Sequence, residues 1–128
     1  MRYDFEEIAE EFQLYYRTKS ISHCDFAEIN ESEVVMVEET IYINKNLLDD
    51  KVYESEVREI VKKMWGSYAI AVWRWYREPD KLSGKRYFVL KVEVKRRFER
   101  KLSQLIKDVR KFKNGAYDDV KIESRIVE

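Results

Sequence analysis

Arg96, Arg100, Lys107, Arg110 and Lys111 recur at spacings that leave them beside an apolar helical stripe and not within it. The stripe is Phe98, Leu102, Leu105, Ile106, Val109 and Phe112. A helix that buries it turns these cations to the opposite side. Such a row neutralises phosphates and gives binding that depends on salt and little on base sequence. DNA or RNA is the partner class it fits, with an ordinary solvated helix face as the alternative. Few acids interrupt the row (Glu99 and Asp108).

Asp80, Glu93 and Lys95 form a second group. Hard divalent cations take carboxylate oxygens, and a metal-bound water supplies a nucleophile. Pro79-Asp80 followed by Glu93-Val94-Lys95 resembles the PD-(D/E)xK nuclease signature over residues 79–113. The resemblance implies that both acids hold a divalent metal and that the lysine assists the attacking water. Glu93 and Lys95 share a strand face, and a helix follows them, as in that family. The family usually places a strand and turn between its two acids, where this chain has only Lys81-Leu82-Ser83-Gly84. The alternative is that Glu93 and Lys95 are exposed strand charges with cross-strand partners.

The remaining chemistry-bearing residues are sparse. His23 and Cys24 are the only His and Cys, and adjacent strand residues point to opposite faces, which argues against a Cys–His nucleophile pair. Without the nuclease reading no cofactor or metal site is expected. Trp65, Tyr68, Trp73, Trp75 and Tyr76 form an aromatic cluster. Buried, it is core; exposed, it stacks bases or makes a dimer contact. Three scattered glycines make no phosphate loop.

The 128 residues carry 25 basic and 25 acidic side chains, so the net charge is zero. The zero hides a split. Residues 1–60 hold sixteen acids and six bases, whereas residues 85–113 hold twelve bases and three acids. Either the blocks neutralise each other, within the fold or across a homodimer, or each faces a partner. The expectation is a small non-enzymatic protein that contacts nucleic acid through its C-terminal helix. The alternatives are an interaction or inhibitor module using its acidic N-terminal half, and the metal-dependent nuclease.

Composition sets the class. Apolar residues reach 45%, enough for a core without disulfides, and a single cysteine excludes an internal disulfide framework. No stretch approaches the ~20 apolar residues that span a bilayer. The acidic, amphipathic start MRYDFEEIAEEF is unlike a signal peptide, so a cytoplasmic protein without membrane contact is expected. High Lys and Glu with few amides matches the tendency of hyperthermophile proteins.

The elements that position these groups follow from periodicity. Phe5, Ile8, Ala9, Phe12, Tyr15 and Tyr16 predict a first helix, capped by Asp4 with Glu7 completing a capping-box-like pair. Residues 21–29 have room for a short strand. Residues 33–48 read as β with a polar break at Glu38-Glu39-Thr40, either a hairpin or one bent strand. A second helix follows Asp49-Asp50, with Gly66 as its C-terminal cap. SYAIAVWRWY, residues 67–76, is apolar at almost every position and predicts a central strand pairing antiparallel with residues 85–95. The basic helix and a half-exposed edge strand, VKIESRIV, close the chain. The expected fold is one α+β domain over 1–128, order α-β(β)-α-β-β-α-β, with three helices on a mostly antiparallel sheet of four to five strands.

Overall fold

Asp4 ends a three-residue strand, β1 (Arg2–Asp4), and caps helix α1 (Phe5–Tyr16) by accepting the Glu6 N–H at 2.8 Å. The structure, a computed structural model, describes residues 1–127. Strands β2 (Phe26–Ile29) and β3 (Glu33–Ile41) form a hairpin. Helix α2 (Asp50–Arg74), capped by Asp49, leads to β4 (Lys85–Val94). Helix α3 (Glu99–Arg110) leads to β5 (Asp119–Ile126). The sheet order is β1-β2-β3-β4-β5. The first two pairings are antiparallel and the last two, across the α2 and α3 crossovers, are parallel.

The α+β class, with three helices and a five-stranded sheet, is as the periodicity implies. Three details differ. Residues 67–74 continue α2 and form no strand, so β4 pairs in parallel with β3. The run looked two-sided because both sides of this helix carry apolar groups. Met64, Ile70, Ala71 and Trp75 are buried, while Val72 and Tyr76 face solvent. Gly66 is no cap. It sits mid-helix under the backbone of Ser22, where a Cβ would lie 1.9 Å from the Ser22 carbonyl oxygen. Strand β1, only three residues long, gave no periodic signal.

Both crossovers place their helices on one face of the sheet, and that layer is the core. Phe88, Leu90, Val92 and Val94 of β4 turn toward it, as their alternation implies. They meet Phe5 and Ile8 from α1, Ile60 and Met64 from α2, and Leu102, Leu105 and Val109 from α3. The other sheet face holds a smaller cluster of Phe26, Val35, Val37, Tyr87 and Val89. Two cations shelter it: the Arg2 guanidinium lies 3.6 Å from the Phe26 ring centre, and Lys121 Nζ lies 4.0 Å from that of Tyr87. Among the described residues no helix is long and apolar enough to cross a membrane.

Candidate nucleic-acid interface

Phe98, Leu102, Leu105, Ile106 and Val109 are buried, so the stripe fixes the roll of α3. That roll sends Arg100 and Lys107 into solvent, two turns apart on one side. Among the described residues neither has a carboxylate partner. Arg96 is exposed in the 3-10 turn before the helix, at Arg96–Phe98. The structure ties down the other two cations of the predicted row. Arg110 Nε donates to the Val120 carbonyl at 2.9 Å and pairs with Asp119 at 3.1 Å. Lys111 pairs with Asp108 at 3.2 Å. Asp108 also accepts a short hydrogen bond from the Tyr53 hydroxyl, which with Lys111 holds its carboxyl below the usual range. The outward row therefore centres on Arg100 and Lys107, with Arg97 and Lys95 near its start.

The acidic block does not neutralise this row. Glu6, Glu7, Glu10 and Glu11 line the exposed side of α1. Glu38 pairs with Lys63, Glu56 with Lys45, and Glu59 with Lys62, all outside residues 85–113. Leaving Arg96 aside, no ion pair among the described residues joins a carboxylate of 1–60 to a cation of 85–113.

Asp80, Glu93 and Lys95 are not brought together. Asp80 lies in the 3-10 turn Pro79–Leu82, before the N-terminal end of β4. Glu93 is near the other end, where it pairs with Arg125 at 3.5 Å, and Lys95 follows it. From Lys85 to Glu93 the strand rises roughly 26 Å. Among the described residues no group of three or more His, Cys, Asp or Glu is placed to hold a metal ion.

Cys24 is fully buried. Burial pushes its thiol up to about 12, which keeps it neutral and poorly nucleophilic at physiological pH. His23 Nδ1 lies 2.7 Å from the Cys24 carbonyl oxygen, and Nε2 lies 3.5 Å from Glu6.

Two features escaped the sequence reading. The first is a pair of buried Glu–Lys contacts. Glu38, in the supposed polar break, faces the helices at 3% exposure and takes a short hydrogen bond from Lys63. Asp25 lies directly across from it, next to the Phe26–Val37 pair. Burial first, and Asp25 in addition, raise the Glu38 carboxyl to about 7 against the opposing pull of Lys63. Glu56, also buried, is held by Lys45, and together burial and Glu56 raise the Tyr42 hydroxyl. The second feature is a groove of about 1320 Å³ between the ends of α1 and α2, lined by Phe12, Tyr15, Tyr16, Trp73 and Tyr76. The Trp/Tyr cluster thus divides: Trp75 is core at 1% exposure, while Tyr76 at 78% stands in solvent, as does Tyr15 of α1. The α1 residues Tyr15 and Tyr16 read as a core face because a helical period cannot say where a partner helix stops.

Compared with known proteins, the chain matches no family model, no curated protein and no solved structure.

Proposed function

We propose that this is a small, non-enzymatic intracellular protein that contacts the phosphate backbone of DNA or RNA through α3. The observation that carries this reading is the pair Arg100 and Lys107, exposed on one side of a helix and without carboxylate partners among the described residues. Cations already neutralised would release few counterions on binding; these two release them in full. The acidic side of α1 lies on a different helix and leaves the row open.

Labelled duplex DNA and RNA titrated by fluorescence anisotropy, over a series of salt concentrations, test the reading. Affinity is expected to fall steeply with salt. Reversing both charges, Arg100→Glu with Lys107→Glu, is expected to weaken binding at low salt by roughly tenfold or more and to lower the logarithmic salt slope by about 2. Circular dichroism should be unchanged, since neither side chain is buried. Absence of binding at low salt, or binding insensitive to salt, overturns the proposal.

A second reading rests on the aromatic groove. Exposed Tyr15, Val72 and Tyr76 beside the acidic side of α1 suit a protein partner with basic and apolar groups. If no polyanion binds, this surface takes precedence.

A further inference from the structure

The two edges of the sheet differ. The β1 edge is three residues long. The β5 edge is eight, and among the described residues no strand pairs with its outer side. Val127 N–H donates inward to the Val94 carbonyl at 3.0 Å, whereas Val120 N–H turns to its neighbour's Asp119 Oδ1 at 2.8 Å and the Val120 carbonyl takes Arg110. The two-residue period therefore directs the N–H and C=O of Ile122 and Ser124 outward. A long edge with open backbone groups is a template for another strand.

The charges along this edge alternate: Asp119, Lys121, Glu123 and Arg125 share the face away from the helices. That order is complementary to itself when reversed. In an antiparallel pair centred on Ile122, Asp119 lies opposite Arg125 of the second copy and Lys121 opposite Glu123. The two-fold axis repeats each contact, so every charged pair attracts. Centred on Glu123, Lys121 meets Arg125 and Glu123 meets itself. Centred on Lys121, Asp119 meets Glu123 and Lys121 meets itself. Centred on Ser124, Glu123 meets Arg125 but Lys121 meets only Val127. The period of the ladder fits the first register too, because Ile122 supplies outward N–H and C=O for a hydrogen-bonded pair at the axis.

We infer that β5 is the interface of a two-fold dimer, in which two copies join edge to edge about Ile122 into one ten-stranded sheet. Asp119 changes role on association. In the single chain its carboxylate covers the Val120 N–H and pairs with Arg110. In the dimer it turns to Arg125 of the second copy and releases that N–H to the new ladder. The lateral pairs Lys91–Glu123 at 3.9 Å and Glu93–Arg125 at 3.5 Å are exposed and weak, so they compete little. This inference does not depend on nucleic-acid binding. It does place the two α3 helices on one side of the joined sheet.

Sedimentation equilibrium of the full chain, from micromolar to millimolar concentration and without nucleic acid, tests the inference. The unaltered protein is expected to show a monomer–dimer equilibrium. Lys121→Glu and Glu123→Lys, each alone, put like charges opposite one another twice and should raise the dimer dissociation constant by roughly tenfold or more. The double variant K121E/E123K restores opposite charges and should return to within about threefold of the starting value, on the same pairwise argument. Thermal melts check that each variant folds. A protein monomeric throughout, single variants that dimerise normally, or a double variant no better than the singles would each overturn it. An effect of Glu123→Lys without one of Lys121→Glu also overturns it, because it moves the axis to Ser124.

Discussion

Gly66→Ala is expected to destabilise the protein by about 3 kcal/mol, the upper part of the range for overpacking. In an exposed helix interior the same change gains up to about 1 kcal/mol, because alanine is the better helix former. The sign reverses here because α2 passes under the segment that joins α1 to β2. A Cβ on Gly66 would sit 1.9 Å from the Ser22 carbonyl oxygen, 3.1 Å from its carbon and 3.3 Å from Ile21 Cγ1. Two of those atoms are backbone and have no rotamer to change. The segment is also anchored on both sides of the contact. Ile21 N–H donates to Gln13 Oε1 at 3.2 Å, and Cys24 N–H donates to the buried Ser67 Oγ at 2.7 Å. Lifting Ser22 by the distance a methyl group needs strains both bonds. The Cys24 N–H, displaced from Ser67, has no water to turn to. Urea unfolding of the variant against the parent measures the difference. A variant as stable as the parent, or more so, would mean that the crossing is looser than its geometry states.

The same crossing explains why part of the fold was not legible in the sequence. Gly66 followed by an apolar run has the form of a helix stop and a buried strand. Only the neighbouring backbone distinguishes that from a glycine kept for close approach. What could be read were patterns whose meaning is local. Asp4 as a cap, the stripe on α3 and the alternation along β4 each depend on residues a few positions apart. They hold whatever packs against them. The exposure of the basic row was legible in the same measure. Arg100 and Lys107 follow from the roll of α3 alone. That Arg110 would reach Val120 and Asp119 on the next strand depends on the return path of the chain, which spacing does not encode. Glu38 was hidden for a related reason. In a strand, a glutamate followed by Glu39 and Thr40 looks like the start of a solvated break, and nothing near it announces that Lys63 will arrive from α2.

Glu38 carries the second large expected effect, a fall in stability as pH rises. Its carboxyl is raised from 4.5 to about 7, chiefly by burial and only partly relieved by Lys63. The native state therefore holds this proton more tightly than the unfolded chain does. Its contribution is complete below about pH 4.5 and is lost as pH climbs through 7. At about 1.4 kcal/mol per unit, the loss between pH 5 and pH 8 is about 2–3 kcal/mol. Glu38→Gln keeps the shape and cannot ionise. Near pH 5 the variant should match the parent, since both then bury a neutral group. By pH 8 it should be the more stable by about the same 2–3 kcal/mol, because Lys63 is partly exposed and can turn its ammonium to water. Asp25, opposite Glu38, acts in the same direction: an ionised neighbour makes a second negative charge harder to form. Urea unfolding of parent and variant at a series of pH values separates this from a general effect of acidity. Curves that run parallel from pH 5 to pH 8 would show that Glu38 is ionised throughout and that the Lys63 pairing outweighs its burial. Divergence toward high pH would place the proton on Glu38 in the folded protein at neutral pH.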